Sequence, residues 1–171
     1  MEEHSIYVEW AWKTLKEYYN KGNILDIRDD VPEELNRKAG CFVTLHRRDG
    51  SLRGCIGTIM PAKETLAEEI RDNSIASAMK DPRFPSVRRE ELDELTISVD
   101  VLGEPEEATI YELDPKVYGV IVEKGWRKGV LLPDLEGVDT VRKQLSIVLR
   151  KAGINPEEDY KIYRFKVNRY H

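Results

Sequence analysis

Between Cys41 and Ile59 two strand-like runs are separated by Asp49-Gly50, and no other feature limits the fold of this chain so tightly. Asp-Gly between such runs is a strong hairpin signal, because tight hairpin turns need positive φ and these residues tolerate it. A two-residue loop, or the four-residue loop that keeps its register, sets Arg48 opposite Ser51, His46 opposite Arg53 and Thr44 opposite Cys55. Directly opposed residues share a face of the sheet. One face then carries Cys41, Val43, Leu45, Leu52, Gly54 and Ile56 and reads as core. The other carries Phe42, Thr44, His46, Arg53, Cys55 and Gly57. A three-residue loop would slip this pairing by one. In the expected register the two cysteines face opposite ways, which excludes a bond between them.

The remaining elements follow from periodicity. A first helix is expected over 5–19, with Tyr7, Ala11, Leu15 and Tyr18 at helical spacing, Trp10 beside them and Gly22 beyond the end. Residues 23–40 read as an irregular charged connection. A second helix is expected over 64–80, lined by Leu66, Ala67, Ile70 and Ala78 and stopped at Asp81-Pro82. Leu95–Leu102 alternates cleanly: Leu95, Ile97, Val99 and Val101 point one way, Thr96, Ser98 and Asp100 the other. Short strands are expected over 120–123 and 129–132. A third helix over 138–152 has a stripe of Val138, Val141, Leu145, Val148 and Leu149, with Gly153 as C-cap. A last strand is expected over 160–167. Strands and helices do not alternate regularly and hairpins recur, so the class is α+β, mostly antiparallel with three main helices.

A length of 171 residues suits one domain, or two small lobes sharing a core. No apolar run approaches the roughly 20 residues of a membrane span. An acidic start, Met1-Glu2-Glu3-His4, has no signal-peptide core behind it, so the chain reads as a soluble cytoplasmic protein. A charged fraction of 35% with one glutamine, Gln144, is a balance found in proteins of hot environments. The net charge of −5 weighs against a broad nucleic-acid surface, although a local basic patch is compatible with it. Two cysteines make no disulfide framework, and three histidines, two at the extreme ends, do not suggest a zinc site. No metal is expected, and no cofactor is indicated.

The candidate site centres on Leu52-Arg53-Gly54-Cys55-Ile56-Gly57. Gly54 and Gly57 remove bulk beside the thiol, as happens where a ligand or another backbone approaches a strand. Arg53 would hold an anion or lower the thiol pKa. His46, about 7–8 Å away on the diagonal, is a base only if it moves closer. Asp81 and Arg83 follow the second helix: the planar fork of Arg83 suits a carboxylate or phosphate, and a helix-stop loop held by an Asp81–Arg83 or an Arg83–backbone contact is the plainer role. A free cysteine is most often a buried, inert residue, and a hairpin histidine is most often solvated. Glu64, Glu68 and Glu69 read as a solvated face near a helix N-terminus. Trp126 caps an expected turn, where an exposed aromatic can anchor a partner, and a turn residue folded onto the sheet is the commoner case. Three functions remain open. The first is an enzyme on a small or modified substrate, with Cys55 as nucleophile or thiol ligand and Arg53 orienting an anionic group. The second is a non-catalytic binding or scaffold domain for a protein or small ligand. Nucleic-acid binding is the third and least favoured.

Several segments in order, Gly40-Cys41-Phe42-Val43-Thr44-Leu45, Leu52-Arg53-Gly54-Cys55-Ile56-Gly57-Thr58, Asp81-Pro82-Arg83-Phe84-Pro85, Glu91-Leu92, Leu131-Leu132-Pro133 and Lys151-Ala152-Gly153, resemble the AMMECR-one family. The likeness covers about residues 5–168. It implies a single domain over 1–171 with a larger and a smaller subdomain and a cleft near the cysteine motif. It also implies a family without an established biochemical role, associated in prokaryotes with a Memo-like protein and a radical S-adenosylmethionine protein as pathway partners. This chain has Tyr118-Gly119 where many members have His-Gly. It has Val148-Leu149-Arg150 where many place a cysteine just before Lys-Ala-Gly.

Overall fold

The computed structural model describes residues 4–27 and 31–171, so the acidic start and residues 28–30 of the first connection lie outside the described residues. The chain forms two compact units, one of residues 1–101 with 168–171 and one of residues 102–167. Each has an antiparallel sheet, and the fold is α+β with three main helices, as the pattern of elements predicts.

In the first unit, helix α1 (Ile6–Lys21) starts where Ser5 accepts the Val8 N–H and ends where Gly22 takes a left-handed φ of 70°. Its buried face is Val8, Trp10, Ala11, Thr14 and Leu15. That face is rotated from the expected stripe, leaving Tyr7 and Tyr18 half-buried at its edges. The rotation is fixed by Trp10, whose indole N–H donates to the Ala67 carbonyl at 3.0 Å. Helix α2 (Leu66–Met79) starts two residues later than expected, because Thr65 is its N-cap. Leu66, Ala67, Ile70 and Ala78 are buried as the spacing requires. Four polar residues, Glu69, Asn73, Ser74 and Ser77, are buried with them. Strands β1 (Cys41–Arg47), β2 (Leu52–Thr58) and β3 (Leu95–Leu102) are joined in the sheet by a strand from the C-terminus. The order is β2, β1, β3 and that last strand.

The second unit holds strands β4 (Glu106–Glu107), β5 (Gly119–Lys124), β6 (Arg127–Leu131) and β7 (Lys161–Phe165), in the order β4, β7, β5, β6. Helix α3 (Val141–Ala152) lies on β5 and β6, capped by Thr140 and by Gly153 at φ 70°. Val138 is buried in the turn ahead of the helix instead of in its first turn. The strand expected over 160–167 is two strands: it breaks at Lys166, and β8 (Val167–Tyr170) joins the first sheet. At the break the Lys166 carbonyl accepts the Gly103 N–H at 2.7 Å. Trp126 does not fold onto the sheet. It occupies the tight turn between the paired Lys124 and Arg127, and it is 91% exposed. With Gly125 at φ 59°, a turn this short leaves the ring no strand surface to return to.

No helix among the described residues is long and apolar enough to cross a membrane. Among the same residues no group of three or more His, Cys, Asp or Glu is placed to hold a metal ion.

Candidate functional site

The hairpin loop has three residues, Arg48, Asp49 and Gly50. The Gly50 N–H donates to the Arg47 carbonyl at 2.9 Å, and the Arg47 N–H donates to the Ser51 carbonyl at 2.8 Å. Gly50 stands at φ 86°, where a side chain would be strained. Asp49 closes the turn, accepting the N–H and hydroxyl of Ser51. The expected Arg48–Ser51 and His46–Arg53 pairs are therefore absent, and His46 lies opposite Leu52. A bulge then falls between Leu45 and His46 on β1, with Arg53 as the extra residue of β2. Beyond it the expected register returns: Leu45 opposes Gly54, Thr44 opposes Cys55, Val43 opposes Ile56. Two one-residue irregularities cancel, so the sequence pattern locates Cys55 correctly and Arg53 incorrectly.

A bulge re-aims the side chain it carries. Arg53 is 3% exposed and forms a two-pronged ion pair with Glu91, at 3.4 Å from Nε and 3.1 Å from Nη2. Glu91 lies in a short 3-10 helix over Arg89–Glu94 and also accepts the Arg88 N–H at 2.7 Å. Burial would raise the Glu91 pKa, but the Arg88 N–H and the Arg53 guanidinium outweigh it and hold the carboxyl below its ordinary value. Arg53 thus ties the hairpin to this helix.

The glycines also have defined neighbours. A Cβ on Gly54 would lie 2.2 Å from the Ser77 carbonyl oxygen, so this strand runs directly against the backbone of α2. There the Ser77 hydroxyl accepts the Ile56 N–H at 3.0 Å and lies 2.7 Å from the Val43 carbonyl. A Cβ on Gly57 would meet the Phe42 ring across the strand pair. The inner face is completed by Cys41, Val43 and Leu45, all fully buried. Asn73 donates to the Cys41 carbonyl and to the Thr58 hydroxyl, and that hydroxyl donates to Glu69 at 2.6 Å. Glu69 also accepts the N–H groups of Ala62 and Lys63. It is 1% exposed and pins the chain between β2 and α2, so it is no part of a solvated face.

Cys55 opens on the other face, where Phe42, Thr44, His46, Ser98 and Asp100 share its side by register. Its sulfur is half-buried and 3.1 Å from the Thr44 hydroxyl. Burial raises the thiol pKa; the Thr44 hydrogen bond and Arg83 act against the rise without cancelling it, while Asp100 and Asp81 add to it. The cation that acts on this sulfur is Arg83, not Arg53. Asp81, 4% exposed, accepts the Cys55 N–H at 3.0 Å, the Arg83 N–H at 3.0 Å, and two guanidinium N–H groups of Arg83 at 3.0 and 2.7 Å. The Arg83 guanidinium holds the Asp81 carboxyl well below the usual carboxylate range, against burial and with help from the Cys55 N–H. Anchored in this way, Arg83 still leaves 55% of its side chain exposed. A second pair repeats the design. Asp100, 4% exposed, accepts both Nε and Nη2 of Arg169, at 2.7 and 3.0 Å, and the Arg169 side chain is 64% exposed.

The structure therefore brings together Cys55, Asp81 and Arg83 and adds Thr44, Asp100 and Arg169. Arg53, Gly54 and Gly57 are taken up by packing, and His46 stands further along β1 beside Leu52 and Thr96. Asp100 had a signal in the sequence, as the one charged residue of its strand. Arg169 had none, because it lies past the end of the expected final strand.

Fold and site define an α+β protein whose first sheet carries a half-buried thiol beside an aspartate-anchored arginine, Arg83. Residues 8–170 match the AMMECR1 family model, and the chain belongs to that family. It is 58% identical over 168 residues to a protein of Thermotoga maritima, covering 96% of each chain. It is 50% identical to a protein of Clostridium acetobutylicum, of which it spans 36%. Among solved structures, the uncharacterized protein PH0010 of Pyrococcus horikoshii superposes with a TM-score of 0.80 at 36% identity, over 95% of this chain and 88% of that one.

Proposed function

We propose that this chain is a binding domain whose outer sheet face takes a small ligand carrying a carboxylate or phosphate, with Cys55 as a protonated wall residue. The observation that carries this reading is Asp81. One buried carboxylate holds both the Cys55 backbone and the Arg83 guanidinium, so the outward edge of Arg83 is fixed beside the thiol. A guanidinium oriented by an aspartate is a preorganised partner for planar oxyanions. An enzyme with Cys55 as nucleophile is the competing reading of the same face, and it requires a thiolate. Here burial raises the thiol pKa, and the nearest cation already serves Asp81. The pathway partners implied by the family, a Memo-like and a radical S-adenosylmethionine protein, fit either reading as a source or recipient of the ligand.

Amide spectra of the full chain, titrated with phosphate and with small dicarboxylates, test the proposal. Saturable shifts at Cys55, Ile56 and Arg83, lost in an Arg83→Ala chain that is still folded by its amide spectrum, are expected. An absence of shifts at low salt refutes anion binding. A Cys55 that titrates to thiolate near neutral pH replaces it with the enzyme.

A further inference from the structure

The second unit carries a groove of about 630 Å³ along α3. Its floor is Leu145, Leu149, Ile154 and Tyr160, and Arg142 and Arg150 stand at the rim. Both arginines are exposed, and among the described residues neither has a carboxylate partner. They are separated by eight positions on one helix, so their backbone anchors lie roughly 12 Å apart. An apolar floor between two unpaired cations is complementary to an apolar side chain between two anions.

Spacing decides the form of the occupant. An extended chain rises about 3.3 Å per residue and turns alternate side chains to one side. Acids four positions apart therefore span roughly 13 Å, with the middle residue pointing the same way. We propose that this groove docks an extended segment of another protein with the pattern acid-x-apolar-x-acid. The acids engage Arg142 and Arg150, and the apolar residue enters between Leu145 and Tyr160. A second copy of this chain is a poor occupant. At Glu64-x-Leu66-x-Glu68 and Glu90-x-Leu92-x-Glu94, where the chain carries that pattern, the apolar residue is buried in its own core, and at Asp29-x-Val31-x-Glu33 Val31 is half-buried against that core.

The probe is a fluorescent peptide, Glu-Ser-Leu-Ser-Glu between Gly-Ser flanks, measured by anisotropy against the full chain at low salt. Saturable binding is expected, weakened at least tenfold by Leu→Ser in the peptide and at least tenfold by R142E/R150E in a protein with unchanged melting temperature. The charge-reversed peptide Lys-Ser-Leu-Ser-Lys should bind R142E/R150E in preference to the parent chain. No binding to the parent chain, or equal binding to R142E/R150E, overturns the proposal. So does concentration-dependent self-association of the parent chain that R142E/R150E abolishes, since the occupant is then a second copy.

Discussion

Cys41 and Cys55 stand on neighbouring strands of one sheet, three positions out of register and so on opposite faces, and their surroundings have little in common. Around Cys41 the polar groups point inward and saturate one another: Asn73 reaches the Cys41 carbonyl and sulfur, and Glu69 gathers Thr58 and two backbone amides. Around Cys55 the buried carboxylates, Asp81 and Asp100, face the other way and hold arginines whose outer edges reach solvent. Both faces spend buried acids on hydrogen bonds. On the inner face these bonds fix α2 against the hairpin; on the outer face they aim donors. A face whose polar groups satisfy one another is structural, and a face whose polar groups orient exposed donors is the one proposed above to take a ligand.

The largest expected effect probes the inner face. Gly54→Ala places a methyl against the Ser77 backbone, which cannot swing aside as a side chain would. Overpacking of this kind costs about 3 kcal/mol, so chemical denaturation should show a large drop in the unfolding midpoint. Gly57→Ala meets the Phe42 ring, which can turn, and the Cys41 carbonyl, which is approached less closely than the Ser77 carbonyl is at Gly54, and should cost less. If the two substitutions cost the same, the close approach of α2 to β2 does not set the geometry of the motif.

Glu69→Ala comes next. It leaves the Thr58 hydroxyl and the Ala62 and Lys63 amides without their acceptor, a loss of about 2 kcal/mol, and Glu69→Gln should recover part of it. A solvated glutamate would give nearly no change in either variant.

On the outer face, Asp81→Asn keeps an acceptor for the Cys55 N–H but weakens the hold on Arg83, at about 1 kcal/mol near neutral pH because the guanidinium is half in water. The sign with pH follows from the depressed folded pKa. The contribution of Asp81 is fully present above the unfolded value, about 3.9, and is lost as the pH falls below that towards the folded value. The stability gap between the parent chain and Asp81→Asn should therefore close on acidification below about pH 4. A gap that stays constant down to strong acid would mean that Asp81 is not the charged anchor of Arg83.

How far this contrast was legible in the sequence depends on the kind of interaction. Alternation and Asp-Gly sufficed for the hairpin, for the opposite facing of the two cysteines and for the whole of β3, because period two is a backbone property. The side of Arg53 was not legible. It depends on a bulge that compensates a three-residue loop, and loop length is decided by Asp49 and Gly50 acting together, not by the pattern of the strands. Glu69 was misread for a related reason. An acid in the first turn of a helix satisfies a dipole rule whether it faces water or the interior, and only the path of Ala62-Lys63 over it shows which. Asp81 and Arg83 were legible as a pair, but their link to Cys55 is a contact across 26 positions that no local pattern carries.

The smallest expected effect is the one that separates binding from catalysis. Both thiols are held above the ordinary value, Cys41 at about 12, first by burial, and Cys55 by burial that Thr44 and Arg83 only partly offset. With iodoacetamide at neutral pH, Cys41→Ser should leave a Cys55 that reacts slowly, and its rate should still be rising above the usual thiol pKa of about 8.5. Cys55→Ser should leave a Cys41 that reacts only when the chain unfolds. Thr44→Val, nearly isosteric, removes a hydrogen bond that lowers the Cys55 pKa, so it should displace the Cys55 profile upward. A thiol with a role in chemistry would lose activity with that displacement. A wall residue would keep its anion affinity, because Arg83 and Asp81 are untouched. Loss of phosphate or dicarboxylate binding in Thr44→Val, with the Asp81–Arg83 pair intact, would therefore move the centre of the site from the arginine to the sulfur.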